Sequence, residues 1–474
     1  MRLLLLIPGL LLPLLAAAAD GGDNYDSLLA AAKARPRPAI FNNDGGDAYL
    51  FPSNREFSVE NFLKERTAQL PATSVSTVSY CTISSSFGQF THPTRLGEFL
   101  TLSHNREGRR NITPELAKLG TDPLREVIRY AHANGLEVFW CQRMNDCHDV
   151  GHRPDKPYER YSKLKKAHPD WLFGAIGEKL PNGAWSAVDY RVPQIRELAA
   201  GFVREVAQNY DIDGVELDFF RHFHLLGSVA RGQTATPEEC AAIVTMIRQI
   251  RSDLDAAGRK RNRPILLAIR VPDSPEYCRA AGLDLEAILK EHLVDILIGS
   301  GYFRLNTWDR LAALGKAYGV KTYASISESR IQNTLPAMSR LRNPVWRGRA
   351  AAALQAGVDG IHIFNQFNLA PSRAAYAYEL KDPAKLFAGN KFYFATNLDG
   401  NPGLYLKDGA SYRHTPLITP KNPLKSRNSA EVTLETGEPS PPREVRLFCQ
   451  GNLDNNSQVE LNGTPAELEF RNGD

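Results

Sequence analysis

The chain has 474 residues, 43% hydrophobic and 23% charged, the composition of a globular protein long enough for one large domain and a small one. A formal net charge of +4 excludes the basicity that nucleic-acid binding requires, and the run Arg259-Lys260-Arg261-Asn262-Arg263-Pro264 reads as a solvated turn. Six scattered cysteines with no CxxC spacing form neither a disulfide framework nor a cysteine zinc site, although export would let a pair that folding brings together oxidise.

Residues 1–19 read as an export signal: Arg2 supplies the positive charge, Leu3 to Leu15 the apolar stretch, and Ala17-Ala18-Ala19 a small-residue cleavage site. That stretch is shorter than the roughly 20 residues a bilayer demands, and no other segment approaches the length. With no cysteine after it, a lipid anchor is not expected. The reading is an exported protein, periplasmic or extracellular, without a membrane span.

From residue 38 to 388 short β-branched runs alternate with helical patterns. Strands are expected at Ala39–Asn42, Ser74–Cys81, Leu136–Arg143, Gly214–Phe219, Ile265–Val271, Val294–Ile298, Val320–Ser325 and Gly360–Phe364. Helices are expected at Val59–Leu70, Asp122–Asn134, Gln194–Tyr210, Pro237–Ala257, Asp284–His292, Trp308–Tyr318 and Pro344–Ala356. Eight strands in this alternation predict an α/β fold, the (β/α)8 TIM barrel. An open dinucleotide-binding sheet is disfavoured because no GxGxxG loop occurs. Residues 390–474 turn rich in Gly, Pro, Asn and Ser, with alternating runs at Glu431–Glu435, Glu444–Cys449 and Gln458–Asn462 and a hairpin signal at Asn462-Gly463. They read as a small all-β, sandwich-like domain, shorter than the roughly 100 residues a sandwich uses.

Barrels carry their chemistry at the C-terminal ends of the strands, and unusual polar residues follow the strands here. In Asp213-Gly-Val-Glu-Leu-Asp218, Glu216 and Asp218 alternate with Val215 and Leu217, so both carboxylates leave one face of a strand. Two adjacent buried acids are costly unless paired or catalytic. The plainer alternative is a turn at Asp213-Gly214 with Glu216 held by an internal arginine. Asp44 follows the first strand; Arg143, Asn145, Asp146 and His148 follow the third; Arg221 and His222 the fourth; Arg270 and Asp273 the fifth; Glu328 the seventh; Asn365 the eighth. Acids, arginines and amides around one mouth suit a carbohydrate substrate with many hydroxyls. Trp171 and Trp185 are placed either to stack on sugar rings or to cover the mouth.

Glycoside hydrolysis needs one protonated and one ionised carboxyl. Asp218 or Glu216 against Glu328, across the mouth, meets that need. A metal-dependent carbohydrate deacetylase is a second reading, with His148, His152, Asp146 and Asp44 as ligands, and a non-catalytic polysaccharide-binding barrel a third. Arginine among those residues favours hydroxyl or carboxylate binding over metal, so no metal and no cofactor are expected. Neither a GxSxG elbow nor a P-loop occurs.

Phe41-Asn42-Asn43-Asp44-Gly45, Arg143-Met144-Asn145-Asp146 with His148, Asp189-Tyr190, the Asp213–Arg221 run and Arg270-Val271-Pro272 together resemble the glycosyl-hydrolase-like barrels, a secreted group similar to family-ten glycosidases. The resemblance covers about residues 38–385 and implies a (β/α)8 barrel working on carbohydrate, which adds Asp189 to the substrate-binding candidates. The Asp-x-x-Asp-x-Asp-x-Glu pattern of chitinase-type barrels would need an acid at Phe220, which counts against a substrate-assisted mechanism.

Overall fold

The computed structural model describes residues 21–82, 86–102, 106–327, 342–393, 400–418, 431–439, 445 and 458–465. Eight parallel strands close into a barrel: β1 Ala39–Asn43, β2 Val75–Cys81, β3 Glu137–Arg143, β4 Gly214–Asp218, β5 Leu266–Val271, β6 Ile296–Gly299, β7 Lys321–Ser327 and β8 Gly360–Phe364. Each pairs with its neighbours in chain order, and β1 closes on β8 through Ala39 opposite Ile361. Helices fill the gaps close to where periodicity expects them, the longest at Pro237–Arg261. That helix opens on a Thr236/Glu239 capping box and stops at Asn262, whose left-handed backbone ends the turn.

Alternation along the strands sorts the side chains. Phe41, Val78, Val138, Trp140, Val215, Leu217, Leu267, Ile269, Ile361 and Ile363 belong to the large core that packs strands against helices. Ile40, Phe139, Leu266, Ala268, Ile296, Ile298 and Tyr323 form a second apolar cluster inside the barrel. Gly214 makes room there: a Cβ on it would lie 2.7 Å from the Phe139 ring.

The barrel floor holds an element the sequence reading omits, a helix at Gly21–Ala34 whose Leu29 and Ala32 pack on the inner cluster. Below the strands Arg37 is sealed from solvent and grips Glu137 with both arms of its guanidinium, at 2.7 and 2.8 Å, while Thr77 donates to the same carboxylate at 2.9 Å. This ties the entry to β1 onto β2 and β3.

Part of the chain beyond residue 390 wraps the barrel. The Tyr277 hydroxyl donates to the Pro402 carbonyl at 2.7 Å and His414 N to the Leu305 carbonyl at 2.6 Å. Glu435 accepts from Trp308 N at 2.7 Å, and residues 431–438 are without strand structure. Glu460–Leu461 pairs with Thr464–Pro465 across Asn462-Gly463, where φ values of 52° and 76° give the left-handed turn that an Asn-Gly hairpin adopts. Most of Glu444–Cys449 lies outside the described residues, as does the expected export signal at 1–19. No described helix is long and apolar enough to cross a membrane.

Removing Arg37 would leave Glu137 buried with weaker partners. Arg37→Ala is expected to cost about 3 kcal/mol, the scale for breaking a buried ion pair, read as a lowered midpoint in denaturant.

Candidate active site

Glu216 and Asp218 both point into the barrel but occupy different levels. Glu216, in the middle of β4, is wholly buried. Its carboxylate accepts from Asn42 Nδ2 of β1 at 3.0 Å, from Ser79 Oγ of β2 at 2.6 Å and from His362 Nε2 of β8 at 3.2 Å. The Ser325 hydroxyl of β7 lies 3.0 Å from His362 Nδ1. Burial pushes Glu216 up, but His362, Ser79 and Arg270 outweigh it and hold the carboxyl at about 2. Both oxygens are engaged from neighbouring strands, which places Glu216 in the network that closes the barrel. Its partners are Asn42, Ser79, His362 and, at 3.5 Å, the Cys141 thiol, rather than the direct internal arginine of the alternative reading.

Asp218 ends β4 one layer higher, between Arg143 and Arg270, its register partners on β3 and β5. Arg270 Nη2 reaches its two oxygens at 2.7 and 2.9 Å, and Phe220 N donates to Oδ1 at 3.0 Å. Arg270 is fully buried, stacked 4.0 Å over the Phe364 ring, and its Nε and Nη1 have no hydrogen-bond partner among the described residues. Gly301 gives it space, since a Cβ there would stand 2.4 Å from Nη1.

The loop after β3 supplies the rest. Arg143 Nη1 donates to Asp146 Oδ2 at 2.8 Å, and His148 Nδ1 stands 2.5 Å from Asp146 Oδ1. Burial raises Asp146, yet His148, Arg143 and His222 together hold it well below the carboxylate range. Arg221 Nη2 sits 2.5 Å from His148 Nε2, and its guanidinium lies 5.3 Å from the centre of the Tyr302 ring. His222 Nδ1 accepts from Cys147 N at 3.1 Å; burial and then Arg221 push this imidazole well below its ordinary range, so it is neutral at pH 7. Asp44 bonds Arg66 and Gly46 N, and its carboxyl, raised by burial, is brought to about 2 by Arg66 and then Arg143.

Other expected site residues are used differently. Both ends of the Asn145 amide are spent on backbone, donating to the Val188 and His224 carbonyls at 2.8 Å and accepting from Val188 N at 3.0 Å. Trp185 is buried, with Nε1 donating to the Val150 carbonyl at 2.8 Å, so it covers the loop instead of offering a free ring. Asp189 is held by Arg191 at 2.6 and 2.8 Å and lines, with Trp171, an open cleft of about 410 Å³. Trp171 stacks on His168 at 3.7 Å. Asn365 begins the loop after β8, half-buried, with a left-handed backbone. Asp273, which burial pushes up to about 6, accepts from Leu305 N and Asn306 N and so fastens the loop after β6. Glu328 lies outside the described residues.

The His148/His152 pair of the metal reading does not assemble. His152 stacks on Tyr161 at 3.9 Å, and its Nδ1 accepts from Tyr158 N. Asp146, His148 and His222 do bring ligand atoms within 4.8 Å of one another. The lone pairs of that trio are committed to N–H donors: Cys147 N on His222 Nδ1, Arg221 on His148 Nε2, Arg143 on Asp146. Two guanidiniums beside a divalent ion are also electrostatically unfavourable.

Neither a family profile nor a curated protein matches the sequence. Solved structures with similar backbones include alpha-L-fucosidase isoenzyme 2 from Paenibacillus thiaminolyticus, at 16% identity and TM-score 0.46, covering 74% of this chain and 49% of that one. The PgaB (BpsB) glycoside hydrolase domain from Bordetella bronchiseptica matches at 10% identity and TM-score 0.44, covering 75% and 99%. The TtGalA alpha-galactosidase from Thermus thermophilus matches at 17% and 0.36, covering 76% and 65%. The chain thus spans about half the length of the fucosidase.

The two strand-four acids should separate on mutation. Glu216→Gln is expected to destabilise by about 3 kcal/mol, because buried donors lose their anion. A carboxyl held down in the fold contributes stability above its ordinary value of 4.5 that is lost as pH falls through about 2. Denaturant midpoints taken from pH 7 to 2 should therefore fall less steeply between about 4.5 and 2 in Glu216→Gln than in the parent.

Proposed function

We propose that the protein is an exported glycoside hydrolase that cleaves O-glycosidic bonds of a poly- or oligosaccharide, related to the family-ten-like barrels it resembles. The observation that carries the reading is Asp218: an acid at the C-terminal end of β4, buried at the barrel mouth and gripped by Arg270 at 2.7 Å. A carboxylate so held is fixed in direction, which is what stabilising positive charge at an anomeric carbon requires. Arg143, Arg221, Asp146, His148 and His222 surround the mouth with donors and acceptors for sugar hydroxyls. Glu328, following β7, is assigned the role of acid to the leaving oxygen. Residues 390–474 are assigned to a small β-rich accessory region, a reading that the Asn462-Gly463 hairpin supports.

Asp218→Asn keeps the shape of the side chain and removes its charge. Turnover of a cleaved substrate is expected to fall at least about a hundredfold with far-UV circular dichroism unchanged. Full activity would remove Asp218 from the chemistry, and a variant that fails to fold would assign it to the barrel instead.

Hydrolysis is further expected to survive chelation. The measurement is rate with and without chelator beside the metal content of the purified protein. Stoichiometric zinc whose removal stops turnover would move Asp146, His148 and His222 to a metal-dependent deacetylase reading.

A further inference from the structure

Folding brings two of the six cysteines together inside the barrel. Cys81, the last residue of β2, stands directly opposite Cys141 of β3 in the parallel register, and the two side chains share the inward face. Their thiols are hydrogen-bonded to each other, and both residues are sealed from solvent. Cys147, Cys240 and Cys278 are placed differently: each thiol donates to a backbone carbonyl, of Asn145 at 3.4 Å, Arg279 at 3.5 Å and Pro272 at 3.3 Å. Cys449 lies outside the described residues.

Neighbouring strands run about 4.8 Å apart and a disulfide spans Cα atoms roughly 4.4–6.8 Å apart, so opposition on adjacent strands meets the distance a bridge requires. The pair also lies close to the candidate site. Cys141 Sγ donates to Glu216 Oε1 and accepts from Asn42 Nδ2, each at 3.5 Å, and Arg143 follows two residues later on the same face of β3. A covalent tie here fixes β2 to β3 directly beneath the mouth. It removes the thiol proton from Glu216 and leaves the shorter contacts from Asn42, Ser79 and His362 in place.

We propose that Cys81 and Cys141 are a redox site, joined as a disulfide when the chain folds in an oxidising compartment. The physiological setting rests on the export reading, and the chemistry is independent of the reaction carried out at the mouth. One thiol loses its proton to solvent, and its sulfur attacks a small-molecule disulfide, whose S–S bond breaks and releases one half as a thiolate. The second cysteine, deprotonated in turn, attacks the protein sulfur of that mixed disulfide; the Sγ–Sγ bond forms and the other half leaves. Both leaving thiolates take up protons, so the cysteine pair loses two electrons and the small disulfide gains them. Burial holds the Cys141 thiol well above its ordinary range, which keeps it protonated in the closed barrel. Exchange therefore belongs to the folding chain or to opened strand ends, and is slow in the closed protein.

The test refolds the full chain from denaturant in buffers of reduced and oxidised glutathione, quenches in acid and alkylates every remaining thiol under denaturing conditions. In oxidising buffer, mass spectrometry is expected to show two thiols lost together, four of the six cysteines alkylated, and one peptide pair joined through Cys81 and Cys141. The oxidised protein is expected to have a higher midpoint in denaturant than the reduced one, because the bridge constrains the unfolded chain. Cys81→Ala in the same buffer should form no bridge. A second experiment needs no refolding: folded wild-type protein held in oxidised glutathione should acquire the same bridge faster as sub-denaturing urea is raised. Six alkylated cysteines from every buffer in both experiments, a bridge through another pair such as Cys240 and Cys278, or an oxidised form less stable than the reduced one would each overturn the proposal.

Discussion

A single buried carboxylate ties this barrel together from within. Glu216 sits where strands from both ends of the sequence converge, and it collects hydrogen bonds from β1, β2 and β8 while its own backbone belongs to β4. An ion of this kind in a low-dielectric interior is tolerable only if its lone pairs are met by well-aimed donors, and breaking the set leaves an uncompensated charge. That requirement fixes the inward residues of four strands. It also explains why polar Asn42, Ser79, Ser325 and His362 stand in a layer that barrels commonly fill with branched apolar side chains.

The mouth is built on this layer. Two residues beyond Glu216 the pleat returns Asp218 to the inside, and strand register sets Arg143 and Arg270 on either side of it. Arg270 turns to Asp218, whereas Arg143 turns outward to Asp146 and through it orders His148. Carboxylates, guanidiniums and two imidazoles therefore meet at one end of the barrel. The floor is closed by an apolar cluster, the Arg37–Glu137 pair and the helix Gly21–Ala34, which leaves the chemistry at the opposite end.

The architecture was largely legible in the sequence because strand alternation and helix caps are local signals. β8 and the helix Trp308–Tyr318 begin and end where the pattern puts them, and the other strands differ by one or two residues at one or both ends. The floor helix also carried a signal that was passed over: Tyr25, Leu28, Leu29 and Ala32 follow helical spacing, in an Ala-rich stretch next to the export segment. The division of labour between Glu216 and Asp218 was not legible. Their side chains leave the same face of the same strand, and what separates them is the identity of partners 52 to 174 residues away. Nor could spacing show that His222, rather than His152, would join Asp146 and His148, because loops do not fix the direction of a ring. His362 was the readable omission, since its place between Ile361 and Ile363 marks it as inward-facing.

The most direct measurement of the central claim is product release by the purified protein from a panel of polysaccharides, followed for new reducing ends and for acetate. The account predicts new reducing ends from at least one polymer, at a rate proportional to protein and unaffected by chelator. Acetate release that stops on chelation, or no reducing ends from any polymer, would contradict it.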